Sequence, residues 1–424
     1  MTSYVLRGVR PYGEDAVDVV IRDGVIAAIE RVGSGTADVV LEYADHVLLP
    51  GFVDVHTHLR EPGREDAETV LTGTQAAALG GFTAVHAMAN TNPVADTAGV
   101  VEQVWRLGQE YGYCDVHPVG AVTVGLDGVQ LAELGAMADS PARVRIFSDD
   151  GKCVADAVIM RRALEYVKAF DGVVAQHAQE PRLTEGAQMN EGEWSGVLGL
   201  TGWPAVAEEA IIARDVLLAE HVGSRVHICH LSTAGSVEIV RNAKARGIDV
   251  TAEVTPHHLL LTDELAATYD PVYKVNPPLR TMADVLAVRE GLADGTIDAV
   301  ATDHAPHPHE DKDCEWAAAA FGMLGLETAL GVVVSATDLS WREIADRMSV
   351  RPAAIARLSE QGRPIAPGEP ANLVVINLDR EWVVEPRALA SKSTNTPYAQ
   401  MTMPVSIAAT FLRGRPTVLN GALT

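Results

Sequence analysis

The feature that most constrains this chain is an alternation that runs from residue 51 to about residue 350. Short apolar runs with strand character are separated by stretches of helical period. Eight runs stand out: 52–56, 83–88, 116–122, 144–148, 173–177, 226–230, 250–255 and 297–302. Between them lie helix-period segments such as 69–79, stopped by Gly80-Gly81, and 157–170, stopped by Asp171-Gly172. Glycine just past the last periodic residue ends a helix because it takes the left-handed conformation at little cost. Strands that alternate with helices pair in parallel, since each crossover returns the chain to the same end of the sheet. Eight such units predict an α/β fold, a closed (β/α)8 TIM barrel.

The flanks have a different character. Residues 16–21 and 25–29 are strand-like around the turn Arg22-Asp23-Gly24, a hairpin signal. At the other end, the turn cluster 365–370 precedes strand-like runs at 372–377, 404–413 and 416–419. Both ends being β-rich, the economical arrangement is one small β-domain built from both termini, 1–50 plus 361–424, beside a barrel spanning 51–360. There are no coiled-coil heptads and no array of repeats.

With 424 residues, 47% hydrophobic and 21% charged, the composition is that of a globular enzyme. The formal net charge of -24 would repel nucleic acid and anionic membranes, so neither is expected as a partner. Any anionic substrate must therefore be drawn by local positive charge. Cysteines at 114, 153, 229 and 314 show no CxxC spacing, which argues against a disulfide framework or thiolate zinc. The start lacks the apolar core of a signal peptide and no run of 18 apolar residues occurs, so a cytoplasmic location is expected.

Metal-competent side chains gather at the ends of the runs. His56 and His58 close the first, on one side of a strand, because side chains two apart share a face. Arg60 keeps that parity and could meet an anion beside a metal. Asp150 closes the fourth run, His177 the fifth, His230 the sixth and Asp303 the eighth. Taken singly, a His-x-His or a terminal Asp is commonplace. Six such residues at five strand tips of one barrel, at the end where barrel active sites form, describe a metal centre. Six N/O ligands exceed the needs of one tetrahedral ion and suit two ions sharing a bridging carboxylate and hydroxide. Imidazole and carboxylate without thiolate fit Zn2+ best. Asp149 adjoins Asp150, and if the strand breaks at Gly151 periodicity does not choose between them. His46, His86, His117, His221 and His227 read as structural or surface residues. His257-His258 read as shaping the site without being ligands, and 309–313 as a solvated charged loop.

Several segments together resemble the amidohydrolase superfamily, and within it the class I dihydroorotases. They are HTHLREPG at 56–63, ANTNP at 89–93, FSDDG at 147–151, TPHHL at 255–259, NPPLR at 276–280, DHAPH at 303–307, FGMLGLET at 321–328 and SKSTNTP at 391–397. The resemblance covers nearly the whole chain and implies an α/β fold, a (β/α)8 TIM barrel with a small composite β-sandwich domain built from both termini. It implies reversible hydrolysis of L-dihydroorotate to N-carbamoyl-L-aspartate, a step of pyrimidine biosynthesis, through a metal-bridging hydroxide. It implies that His56 and His58 hold the more buried of two zinc ions and His177 and His230 the other. Asp150 is then the bridge, and Asp303 a metal-side residue as well as general base and acid. It further implies that Arg60, Asn90 and His307 hold the substrate carboxylate, that Asn276 and the Phe321-Gly322 backbone contact the ring, and that 304–320 is a mobile loop over the site. Two departures from the superfamily stand out. Many members bridge their metals with a carbamylated lysine on the fourth strand, where this chain has Asp-Asp-Gly with Lys152 beyond it. Asn372 stands where Asp is usual.

Three readings follow from the resemblance: a dihydroorotase, another cyclic-amide hydrolase such as an allantoinase or hydantoinase, or an inert dihydroorotase-like subunit scaffolding a carbamoyltransferase. Arg60 favours an anionic substrate, and the full ligand set speaks against an inert subunit. The partners expected are the small-molecule substrate, with a homo-oligomer and an aspartate carbamoyltransferase complex as further possibilities.

Overall fold

The computed structural model describes residues 2–424. Five strands come first: β1 (Tyr4–Pro11), β2 (Val17–Arg22), β3 (Val25–Glu30), β4 (Val39–Glu42) and β5 (Val47–Pro50). The β2–β3 hairpin turns on Asp23 and Gly24, whose φ angles of 51° and 85° are those of the tight turn the sequence signalled.

Eight strands then build the barrel. Three are β6 (Phe52–Thr57), β7 (Phe82–Ala87) and β8 (Asp115–Pro118), paired in parallel. Next come β9 (Ile146–Phe147) and β10 (Val173–Gln176), after which β11 (Met189–Asn190) and β12 (Gly202–Trp203) form a short ribbon outside the barrel. Then follow β13 (Val226–Ile228), β14 (Val250–Val254) and β15 (Ala299–Val300). Strands β9, β10, β13, β14 and β15 form a second parallel sheet. Parallel bridges Gly120–Phe147 and Thr57–His304 join the two sheets and close the cylinder. Each of the eight apolar runs supplies one strand.

Helix boundaries follow local chemistry. Helix Val70–Leu79 starts at Thr69, whose hydroxyl accepts from Thr72 N in a capping box, and stops at Gly80. Helix Ala157–Val167 starts at Asp156, which caps two backbone N–H groups. Its last turn tightens to a 3-10 turn, Lys168–Phe170, before Asp171 enters the left-handed region. No helix among the described residues is long and apolar enough to cross a membrane.

The C-terminal strands are β16 (Leu373–Asn377), β17 (Trp382–Val383), β18 (Thr402–Met403), β19 (Ser406–Leu412), β20 (Arg415–Leu419) and β21 (Ala422–Leu423). One sheet takes strands from both ends of the chain in the order β21-β20-β19-β16-β5-β1-β2-β3, with β4 also on β1. Its seam is the antiparallel pair β5–β16. Asn372, beside that seam, uses both ends of its amide: Nδ2 donates to Glu360 O at 2.8 Å and Oδ1 accepts from Arg413 N at 2.7 Å. A carboxylate there could serve only the second contact. The largest cluster of buried apolar side chains runs from the barrel and its helices into Val374, Ile376 and Val405.

One segment differs from expectation. The stretch 304–320 offers more to a core than its composition suggested. Trp316 is buried with Met189 and Ala266. Within the charged run 309–313, Lys312 is buried too, its Nζ donating to Pro271 O and Lys274 O at 3.0 Å each. A long apolar stem and a three-donor head let lysine do this when carbonyls converge on it.

Candidate active site

The six proposed ligands meet at the C-terminal mouth of the barrel. His56 lies on β6 and His58 just beyond it, while His177 follows β10 directly. Asp150, His230 and Asp303 stand two or three residues past β9, β13 and β15. His230 and Asp303 have left the β region, with φ of 31° and 45°. Asp150 sits among the histidines: its Oδ1 is 3.1 Å from His177 Nδ1, 3.3 Å from His230 Nε2 and 3.4 Å from His56 Nε2. Its Oδ2 is 3.3 Å from His58 Nε2. Asp303 Oδ1 is 3.1 Å from His58 Nε2 and 3.5 Å from His56 Nε2. Asp149 turns the other way and accepts from Val122 N, Thr123 N and Thr123 Oγ1 at 2.8, 2.9 and 2.5 Å. That separates the two neighbouring carboxylates. Lys152 is exposed and faces Asp127 at 3.6 Å.

The charges reinforce one another. Burial alone would push the Asp150 carboxyl up, but His56, His177 and His230 outweigh it and hold the group well below the usual range. Asp303 is likewise held low, against burial, by His56 and His58. Burial would lower His56, yet Asp150, Glu253 and Asp303 raise it well above an ordinary imidazole.

The donor set fits metal. His56 Nε2 is fully buried and has no hydrogen-bond partner. His56, Asp150 and His230, and again His56, His58 and Asp303, offer ligand atoms within 4.8 Å of one another. Ligands at about 2.0–2.1 Å from a tetrahedral zinc lie about 3.3 Å apart, close to the separations around Asp150 and Asp303. Imidazole and carboxylate donors suit zinc or a neighbouring divalent ion.

Three further side chains, two buried and one half-buried, brace these ligands, and sequence reasoning missed them. Glu253 accepts from His56 Nδ1 at 2.7 Å and His227 Nε2 at 3.0 Å. Asp54 accepts from His56 N at 3.0 Å and Thr302 Oγ1 at 2.6 Å. Gln179 Oε1 meets His177 Nε2 at 2.8 Å and Asn276 Nδ2 at 3.2 Å. The available signal was a carboxylate inside an apolar strand run, at 54 and at 253. His257 and His258 are buried beside the cluster but outside it. Burial takes His257 down to about 4.

The substrate-side residues line the same mouth. Arg60 Nε donates to Pro306 O at 3.0 Å, and its Nη2 lies 3.3 Å from His307 Nε2. Burial brings Arg60 down to about 10, so it stays charged at neutral pH. Burial and the Arg60 charge take His307 down to about 2, so its imidazole is neutral. His307 Nε2 donates to Phe321 O at 2.8 Å. Asn90 Oδ1 accepts from His58 Nδ1 at 2.9 Å. Asn276 Oδ1 is buried without a partner. Gly322 has φ 142°, and a Cβ there would come within 2.8 Å of Ala305 Cβ and His307 Nε2. Its N–H donates to Lys274 O at 3.0 Å, so that group is engaged within the protein.

Curated relatives at 45–68% identity are named dihydroorotase. The family model described as dihydro-orotase-like matches residues 45–236. The dihydroorotase of Streptomyces coelicolor is 68% identical over 428 residues, all of both chains. That of Mycobacterium tuberculosis is 58% identical over 99% of each. Among solved structures, the L-hydantoinase (dihydropyrimidinase) of Arthrobacter aurescens superposes with a TM-score of 0.88 at 24% identity, covering 100% of this chain and 98% of its own. The dihydropyrimidinase of Brevibacillus agri gives 0.83 at 21%, covering 100% and 96%. These two share the fold, a TIM barrel with a β-sandwich domain. Likeness to the curated relatives at that depth, over the full length of both chains, makes this chain a member of the dihydroorotase family.

Proposed function

We propose that this chain is a zinc-dependent dihydroorotase of class I, hydrolysing L-dihydroorotate reversibly to N-carbamoyl-L-aspartate in cytoplasmic pyrimidine biosynthesis. The observation that carries the reading is Asp150 between His56, His58, His177 and His230, with Asp303 against the same cluster and Arg60 at its rim. His56 and His58 would hold one divalent ion and His177 and His230 the other, with Asp150 between them. Bound there, such ions supply Lewis acidity and lower the pKa of water.

The chain's own groups do the rest. Asp303, kept ionised, accepts the proton of the attacking water at a carboxylate oxygen and delivers it to the ring nitrogen as the amide bond breaks. Arg60 presents Nη1 and Nη2 to the exocyclic carboxylate, a planar fork that lysine cannot offer. The free Nδ2 of Asn90 donates to the same carboxylate, and His307 joins them when its Nε2–H turns from Phe321 O to the substrate. The unpartnered Asn276 Oδ1 accepts a ring N–H, and the second lone pair of Phe321 O is available on the same side. Lid residues 304–320 exclude water. Strands of 1–50 and 361–424 form the domain on which the 51–360 barrel rests.

The test is a panel of dihydroorotate, hydantoin, dihydrouracil and allantoin on purified protein, with metal counted per chain. Turnover confined to dihydroorotate, with zinc bound, is expected. Preference for a neutral ring would remove Arg60 from its role.

A further inference from the structure

A second cavity lies at the opposite end of the barrel from the ligand cluster. Asp115 begins β8 there, Arg145 directly precedes β9, and Arg357 follows helix Arg351–Ile355. The cavity measures about 420 Å³ and is lined by four arginines, Arg143, Arg145, Arg357 and Arg413, together with His117 and Trp105. Its acidic lining is Asp115 and Glu360. Asp115 is taken up by Arg413, at 2.6 Å, and by Gln361 Nε2, at 2.9 Å. Arg357 pairs with Asp171 at 2.7 Å. Glu360 is exposed. Arg145 Nη1 donates only to carbonyls, Ala138 O at 3.0 Å and Val144 O at 2.8 Å. Among the described residues, neither Arg143 nor Arg145 forms an ion pair. His117 Nε2 is buried with no partner, its ring stacked on His86 at 5.2 Å.

In a chain of net charge -24, two guanidiniums outside any direct ion pair around a cavity of ligand size mark a place where an anion lowers the energy. Arginine forks match the oxygens of phosphate, and Trp105 on the wall offers an aromatic face. The overall charge speaks against a nucleic-acid strand.

We propose that this cavity binds the phosphate group of a small metabolite, apart from the hydrolytic site. Calorimetric titration of the metal-loaded full chain tests it, with inorganic phosphate in one arm and adenosine 5′-monophosphate in the other. Saturable binding in both arms is expected. Tighter binding of the ester would assign the site to nucleotides through Trp105, and equal affinity to free phosphate. Arg143→Gln, at an exposed position, should weaken binding about tenfold, as loss of a charged hydrogen bond does. Arg143→Gln with Arg145→Gln should abolish it while dihydroorotate turnover stays unchanged. Arg60→Ala, at the other end of the barrel, should leave it intact. No saturable heat in the parent chain overturns the proposal. So does phosphate binding that survives Arg143→Gln and disappears with Arg60→Ala.

Discussion

At the scale of single residues, the site is a division of labour among carboxylates. Asp149 and Asp150 are neighbours in sequence, yet one accepts hydrogen bonds from Val122 and Thr123 and the other faces four imidazoles. The parity rule could not separate them because β9 ends at Phe147, before either residue. Asp303 is the proton carrier in the proposed reaction. Asp303→Asn should therefore lower kcat by about 10²–10⁴, the usual worth of a positioned acid–base group, while zinc per chain falls only modestly. Near-normal turnover would remove it from that role. Glu253 acts one step further out, fixing His56 through Nδ1. Glu253→Gln should weaken zinc binding about 10–100-fold in competition with a chelator, the range for partners of ligating histidines. The sequence showed all six ligand candidates, because strand tips of a barrel converge. It hid Glu253 and Asp54, because a carboxylate inside an apolar run gives no sign of which distant histidine it meets.

At the scale of elements, the eight strands were legible because each is a short apolar run bounded by turn residues. The anchoring of 304–320 was not, since it depends on carbonyls of 271–274 and a pocket near Met189, all remote in sequence. Trp316→Ala should free the segment: limited proteolysis should cut within 304–320 faster than in the parent, and a bound dihydroorotate analogue should restore protection. Unchanged cleavage would show that Trp316 is not the anchor. Glu327 ties the barrel to the segment before β18, accepting from Ala390 N at 2.8 Å. Burial pushes its carboxyl from 4.5 up to about 7. An acid raised on folding favours the folded state below its unfolded pKa, and that contribution is lost as pH rises through the folded value. Glu327→Gln should accordingly raise Tm at pH 8 relative to the parent and change it little at pH 4. Equal shifts at both pH values would contradict the assignment.

At the scale of the whole molecule, the sheet built from both chain ends and the barrel share one buried cluster through Val374, Ile376 and Val405. A continuous core should melt as a unit, so calorimetry should record a single unfolding endotherm. Two resolved transitions would show that sheet and barrel unfold separately. The β5–β16 seam also has a consequence for synthesis. When β5 leaves the ribosome its partner is still more than 300 residues away, roughly 20–60 s at elongation rates of about 5–20 residues per second. Throughout that interval the nascent chain carries a hydrophobic strand, Val47–Pro50, with one edge open. Such an edge is a template for wrong pairing. The yield of active protein in the cell should therefore depend on nascent-chain chaperones more than the stability of the finished molecule would suggest.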